Sequence, residues 1–393
     1  MDAPLNPARC AYDVAILGGG LAGLSLAARL AHPRFRHLRI LVVEARPRYT
    51  RDRTWSYWAT TPHPFQDAVS HRWARWAVAA PGQVAVRGAS GLQYESIAAD
   101  NFYTAAVGMV RGALHIDFFM GVRAEAVEQG TGVVIRLPDG PVHAGVVFDT
   151  RPAPAMGRHG LTQLFVGQEI ETEHPVFDPG IALLMDFSVT QAGATHFMYV
   201  LPTSPRHAMV EDTWFAPAGF CPPDHRAAIS SYLARLGAGE CTVGFEEVGA
   251  LPMDPVFQPR AGARLLPLGT SGGATRPSTG YAFTAIQARC DAIALTLAAG
   301  HLPRGAAARP ALTRFMDRVL LDLLERRPAL APRVFAALFA GCPPRRLVRF
   351  LTDQAGVLDF AAVAAAIPFW PTVGAAMQVA VGDRAWIRPA VPG

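Results

Sequence analysis

Lysine is absent from this 393-residue chain, so all 36 basic residues are arginines. The absence reads as codon bias. The arginines are scattered and cluster only at Arg46 to Arg53 and at Arg345 to Arg349, so no basic stripe for nucleic acid is expected. Against 31 acidic residues they leave a formal charge of +5, enough for a weak attraction to anionic lipid. Cysteine is scarce: Cys10, Cys221, Cys241, Cys290 and Cys342 form an odd set with no C-x-x-C spacing. That pattern excludes the usual zinc and dithiol motifs, so no metal is expected and the thiols are expected to be reduced and mostly buried. No uncharged apolar run reaches the roughly 18 to 20 residues of a bilayer-spanning helix. Even Ala355 to Trp370 is interrupted by Asp359 and Pro368. Met1 to Tyr12 fits neither a secretory signal nor an anchor, so a cytoplasmic protein with at most peripheral membrane contact is expected.

What is present is apolar material, 51% of residues, ample for a large core without staples. Asp13 to Leu17 is a short apolar run closed by three glycines. Leu21 to Ala31 then has helical composition, and a second apolar run, Leu38 to Val43, ends at Glu44. Together they make a β-α-β unit of the size a right-handed parallel crossover needs. Val84 to Arg87, Val133 to Leu137 and Val146 to Asp149 read as further strands, the last returning to the first sheet. Between Phe165 and Phe215, β-rich segments alternate with prolines 175, 179, 202 and 205, the pattern of a separate sheet inserted in the first. Tyr281 to Ala299 is helical in composition. From Leu312 an apolar stripe of Leu312, Phe315, Met316, Val319, Leu320, Leu323 and Leu324 predicts a helix with one buried or greasy face.

Gly18, Gly20 and Gly23 stand in G-x-G-x-x-G spacing between the first strand and the first helix. In that position the first glycine permits the tight turn, the second admits a pyrophosphate to the backbone, and the third lets helix and strand close up. Glu44, at the end of the second strand, is placed to accept hydrogen bonds from a ribose. FAD and NAD both suit this fingerprint. Its place near the N-terminus, together with a second glycine-rich segment at Leu268 to Gly273, favours FAD; Gly269, Gly272 and Gly280 are the late-loop candidates for its binding.

Several ordered strings are similar to bacterial lycopene β-cyclases: Thr54-Trp55-Ser56-Tyr57, Phe148-Asp149-Thr150-Arg151-Pro152, Phe165 to Ile170, Leu184-Met185-Asp186-Phe187, Tyr199 to Pro205, Met209-Val210-Glu211-Asp212-Thr213, Pro277 to Tyr281 and Gly341-Cys342-Pro343-Pro344. The resemblance runs from about residue 13 to about residue 370. It departs at Thr270, where many flavoproteins place aspartate, and at Arg53, where the family pattern leads one to expect histidine.

The resemblance implies an FAD-dependent enzyme that closes the ψ-ends of lycopene into β-rings, through γ-carotene to β-carotene, without net oxidation. It implies that the flavin is used reduced, with NAD(P)H as the electron source, and that a linear carotene is drawn from a membrane surface. Ring closure needs an acid in a greasy pocket, and burial of Glu211 or Asp212 raises a carboxyl toward neutrality. Glu211 is the expected acid with Asp212 as support, on opposite faces if the segment is a strand. Among Trp55, Tyr57, Trp58, Trp73 and Trp76, core packing is expected for most, with polyene or flavin contact assigned to Trp55 and Tyr57. Two other readings stay open, an NAD(P)H-dependent hydroxylase or polyprenyl reductase and a flavin-binding protein without catalysis.

The expected fold class is α/β: a Rossmann-like FAD-binding domain, an inserted β-rich substrate domain and a C-terminal helical region. The boundaries are 1–75 for the first part of the FAD domain, 76–145 for a mixed segment of it, and 146–165 for the return. Residues 166–260 form the substrate domain, 261–305 the last part of the FAD domain, and 306–393 the C-terminal region. There Val334 to Trp370 is either a membrane-contacting surface or a helical layer on the body.

Overall fold

The computed structural model describes residues 12–129, 131–152, 160–253, 262–307, 309–368, 375–376 and 379. The N-terminal stretch before Tyr12, with Cys10, and the aromatic end of the C-terminal stretch at Trp370 lie outside them. In chain order the first elements are β1 (Tyr12–Leu17), α1 (Leu21–Leu30), β2 (Ile40–Glu44), β3 (Thr54–Trp58), β4 (His71–Trp73), β5 (Arg75–Ala80), β6 (Gln83–Gly88), β7 (Tyr94–Ala98), α2 (Ala99–Arg111) and β8 (Ile116–Met120). Then come β9 (Glu125–Gln129), β10 (Gly132–Leu137), β11 (Gly140–Asp149), β12 (Leu161–Thr172), β13 (Ile181–Asp186), β14 (Thr195–Pro202), β15 (His207–Ala216), α3 (His225–Leu236) and β16 (Cys241–Met253). The chain continues with β17 (Leu265–Pro267), α4 (Phe283–Ala298), α5 (Ala311–Arg326), α6 (Ala331–Gly341), α7 (Pro344–Leu351) and α8 (Val357–Ala366).

The first sheet has the order β8-β2-β1-β11-β10-β9, with β17 alongside the C-terminal half of β11. β8, β2, β1, β11 and β17 are parallel, whereas β10 and β9 turn back as an antiparallel edge. Both faces of β1 and β2 are covered, which is why their residues read as continuous apolar runs rather than alternating ones. On one face α1 packs between α2 and α4, and Leu24, Ala27, Phe102, Ile286 and Ile293 are all fully or almost fully buried there. Each of the leucine, isoleucine and phenylalanine side chains among them contributes about 1.5 to 3 kcal/mol relative to exposure.

The second sheet, β16-β12-β15-β14-β13-β5-β6, is antiparallel except where β13 meets β5. Its strands alternate, as a sheet with two unlike faces requires. From β15, Ala208 and Val210 face a small core with α3, while Met209 and Phe215 join the apolar layer shared with α5 to α8. β5 and β6 complete this sheet, although sequence order assigned residues 76–145 to the nucleotide side; Trp76 and Val78 bury against the second core, and the crossover is invisible to local pattern. A third sheet, β3-β7-β4, bridges the two.

The stripe on α5 is only partly as expected. Val319, Leu323 and Leu324 are buried, but Leu312 is 47% exposed and Asp317 is buried. The reason is a charged pair: Asp317 accepts hydrogen bonds from Arg276 at 2.8 Å and Ser278 at 2.7 Å, and Arg276 also reaches the Phe350 carbonyl. A count of apolar residues cannot register an ion pair taken into the core. The thiols also differ from expectation: Cys290 and Cys342 are buried, Cys221 and Cys241 exposed.

Candidate active site

The turn after β1 is built around three glycines with different physical duties. Gly18 adopts φ +99, a conformation other residues reach only with strain. A Cβ on Gly23 would lie 1.9 Å from the Gly18 carbonyl, so the helix can close on the turn only with glycine there. A Cβ on Gly20 would meet nothing within 4 Å. That open space lies at the α1 N-terminus, whose amide groups have no side-chain cap, the place where a pyrophosphate is favoured. Thr150, from the return strand, donates to the carbonyls of Leu17 at 3.0 Å and Gly18 at 2.9 Å and pins the turn from below.

The late glycine loop lies against this turn. A Cβ on Gly269, which has φ +78, would come within 2.8 Å of the Ala22 side chain, and one on Gly272 would strike the backbone of Pro267 and Leu268. The Leu268 amide bonds the Asp149 carbonyl at 2.8 Å. Two segments 250 residues apart in sequence thus meet at the C-terminal ends of parallel strands, where ligands bind in open α/β sheets.

Glu44 accepts from the Gly19 amide at 2.7 Å and from Arg46 at its backbone and guanidinium. Burial pushes its carboxyl up, but these hydrogen bonds prevail and hold it below the ordinary value. Arg46 also lies over Tyr49 and Tyr103, and Tyr49 donates to the Gly19 carbonyl at 2.8 Å. Neither Arg46 nor Tyr49 was singled out by the sequence; the only signal was arginine two positions after the strand-end acid.

The acidic motif falls on β15 and splits as strand alternation requires. Register aligns Tyr199 of β14, Glu211 of β15, Gly167 of β12 and Glu247 of β16 in one row across the sheet. In this row the Glu211 and Glu247 side chains share a face, separated by a residue without a side chain. A Cβ on Gly167 would lie 3.2 Å from Glu247 Cγ and 3.2 Å from Met209 Sδ, so Glu247 folds over the glycine. Both acids are buried, and Glu247 Oε2 has no hydrogen-bond partner. Glu211 receives the Thr213 hydroxyl at 2.5 Å.

Burial, and next the negative charge of Glu247, push the Glu211 carboxyl up to about 8, against the pull of the Thr213 hydrogen bond. Burial pushes Glu247 to about 7, restrained by a Thr54 backbone hydrogen bond and by Arg53 and Arg51. Around them stand phenols and indoles: Tyr94 is 2.9 Å from the Tyr199 hydroxyl and 3.3 Å from that of Tyr281, and Trp58 meets Tyr94 and Tyr281 edge to face. Burial holds all three tyrosines well above their ordinary range, so they stay neutral. Tyr281 directly follows Gly280, where a Cβ would lie 2.8 Å from Gln163 of β12, so the end of the glycine loop touches the floor of the acid site.

Asp212 is on the other face. It is fully buried, 2.5 Å from His196 Nε2 and 2.7 Å from His225 Nδ1 of α3, and it accepts from the Trp214 indole at 2.9 Å. Burial pushes its carboxyl up, but the hydrogen bonds from the two histidines outweigh that and leave it below the ordinary value. Asp212 was expected as support for Glu211, on the opposite face if the segment is a strand; the sheet does lie between them, and the contacts of Asp212 are those of a group holding β14, β15 and α3 together. Trp55 and Tyr57 are turned away in the same manner. Trp55 packs edge-on to Phe102 and Tyr103, and Tyr57 stacks on Phe283 with its hydroxyl bound to His63 and Glu95. The residues of β3 on the side of the acids are Thr54, whose backbone bonds Glu247, Ser56, which bonds Tyr199, and Trp58, which meets Tyr94 and Tyr281.

A cleft of about 630 Å³ between β5, β6 and the α6-α7 turn, lined by Arg75, Arg87 and Pro343, does not reach these acids.

Against known proteins, the family described as "Lycopene cyclase protein" matches residues 13–377. The lycopene beta-cyclase of Paracoccus sp. is 30% identical over 372 residues, 88% of this chain and 89% of the relative. That of Pantoea ananas is 28% identical over 393 residues, 95% and 99% of the two chains. Among solved structures, a geranylgeranyl bacteriochlorophyll reductase-like protein of Thermoplasma acidophilum superposes with TM-score 0.60 at 14% identity, over 94% of this chain and 99% of that one. Aklavinone-11 hydroxylase, solved with FAD and aklavinone, gives 0.52 at 18% identity over 88% and 71%. The fold is that of FAD-binding flavoenzymes.

Proposed function

Because the chain belongs to the lycopene cyclase family, we propose that it is a lycopene β-cyclase in which Glu211 is the acid that starts ring closure on the ψ-end of a linear carotene. The observation that carries this reading is a buried carboxyl paired across the sheet with Tyr199, in an aromatic wall with Tyr94 and Tyr281, where burial raises its proton affinity. Protonation of a trisubstituted alkene needs such an acid, because an exposed glutamate is ionised at pH 7 and has no proton to give.

FAD fits the cradle: the open space at Gly20 would admit the pyrophosphate, Glu44 at the end of β2 would hold the adenosine ribose, and the loop from Gly269 to Gly280 would hold the flavin half. When bound and reduced, with NAD(P)H as the electron source, the flavin supplies negative charge beside the cation. Trp58, Tyr94, Tyr199 and Tyr281 would exclude water, and ring faces among them would stabilise positive charge on the polyene. Glu211 gives its proton to the terminal double bond, the neighbouring alkene attacks the cation, and the ring carbon loses a proton, so nothing is oxidised overall. The test is anaerobic incubation of lycopene-loaded liposomes with flavin-loaded protein and excess reductant. A cyclised product of unchanged mass is expected. Its absence, or consumption of NAD(P)H in proportion to a product of changed mass, overturns the reading.

The carotene has to come from a membrane. Among the described residues no helix is long and apolar enough to cross one. The apolar side of α6 and α7 is spent on the second core through Phe335, Leu338, Phe339, Leu347 and Phe350. What remains outward is the start of α8, with Val357 82% and Leu358 68% exposed beside Arg346 of α7, which donates to the Leu358 carbonyl at 2.8 Å. That corner is the proposed peripheral contact with anionic lipid on the cytoplasmic face.

A further inference from the structure

Glu211 needs a proton before every ring closure, and it lies walled in by neutral tyrosines. Its own strand gives it Thr213 on the same face and Asp212 on the opposite one; β14 gives Tyr199, β7 gives Tyr94, and the glycine loop gives Tyr281. None of these is an acid that faces Glu211. Among the described residues the acidic side chain that does is Glu247, across the gap at Gly167. On its far side Glu247 meets Thr54 and the charged segment Arg51, Asp52 and Arg53, of which Arg53 is largely exposed. Arg51 in turn pairs with Glu169 at 2.6 Å and lies over the Phe245 ring, fixing the segment at the sheet edge, and His207 stands 3.6 Å from Glu169. Glu246, next in sequence, points away to Arg226 and Gln168.

From this placement, and resting on the cyclase reading of Glu211, we infer that Glu247 is the proton relay of the site, standing between the catalytic acid and the solvent-facing arginine segment. Once Glu211 has given its proton to the polyene and is a carboxylate, the Glu247 O–H bond breaks and a Glu211 O–H bond forms. The Glu247 carboxylate then takes a proton from solvent water at the exposed end of the Arg51 to Arg53 segment, whose guanidiniums keep their own protons, and the proton lost by the ring goes to water, so protons balance over a turnover and no electron moves. The unpaired Oε2 of Glu247 and the bare Gly167 are both accounted for: one is the free end of the relay, the other the space that lets the two acids share a face.

The experiment is Glu247→Gln in the flavin-loaded, reduced protein on lycopene liposomes. The first turnover should stay within about threefold of wild type, while kcat falls about tenfold or more with KM unchanged, a loss smaller than that for the general acid itself. The alkaline limb of the pH profile should move to lower pH, because the repulsion that raises Glu211 is gone. Wild-type kcat with an unmoved alkaline limb, or loss of the first turnover, overturns the relay. Gly167→Ala displaces the Glu247 side chain without changing its charge and should reproduce the kcat loss; an unchanged kcat there counts equally against it. Infrared titration without substrate separates the two readings: a protonated carboxyl band titrating near neutral pH should change in both E211Q and E247Q. If that coupling is seen but wild type does not cyclise lycopene, the pair stands and the proposed function falls; if E247Q leaves the band of Glu211 unmoved, the relay falls alone.

Discussion

Replacing Glu211 with glutamine should remove activity and at the same time stabilise the protein at alkaline pH. In the unfolded chain the carboxyl ionises near 4.5, whereas in the folded one burial holds it protonated to about 8. The folded pKa is above the unfolded one, so the stability linked to this group is complete below pH 4.5 and lost as pH rises to 8. The slope is about 1.4 kcal/mol per pH unit, for a total of about 5 kcal/mol. Glutamine has no such proton to lose. Urea unfolding of wild type and E211Q at intervals from pH 5 to 9 should therefore show a gap that widens in favour of the variant and levels off above pH 8. In the cyclisation assay the same variant should lose about 10²- to 10⁴-fold in rate, the loss expected for a general acid. A stability gap that does not depend on pH, or wild-type cyclisation by E211Q, would refute the assignment of a buried, protonated acid.

Gly23→Ala places a methyl group 1.9 Å from the Gly18 carbonyl; purified protein should carry little flavin absorbance, and full occupancy would contradict the close-packed turn. Asp212→Asn breaks a buried, charge-assisted network and should cost about 3 kcal/mol or more at neutral pH. Because Asp212 titrates below its ordinary value, this deficit relative to wild type should shrink as pH falls through that titration, which denaturation at acid and neutral pH reads directly. Val357→Glu with Leu358→Glu should weaken flotation with anionic liposomes and leave flavin content unchanged; undiminished flotation would remove α8 as the contact.

The nucleotide end of the molecule was legible because its determinants are local. The strand, the three glycines, the helix and Glu44 lie within about 35 residues, and each has a conformational or hydrogen-bonding requirement that only a few residue types meet. Alternation also told correctly that Glu211 and Asp212 part company on a strand. It did not tell which face held the site. Trp55 and Tyr57 drew attention for their size, yet the faces of β3 were decided by what β7 and α4 pack against, leaving Thr54, Ser56 and Trp58 toward the acids.

Glu247 carried no signal of its own, and Gly167 entered only as one place in the Phe165 to Ile170 string, with nothing to set it apart from its neighbours. Their meaning arises from register: antiparallel pairing over β12, β15 and β16 brings positions 167, 211 and 247 into one row. The same holds for β5 and β6, whose membership of the second sheet depends on pairing with β13 about 100 residues later. Sequence alone settled that this chain folds around a dinucleotide turn and carries an acid-capable motif. Tertiary structure decided which acid is buried among aromatics, because burial, cross-strand neighbours and the charges they bring together are properties of the packed sheet and not of any segment in it.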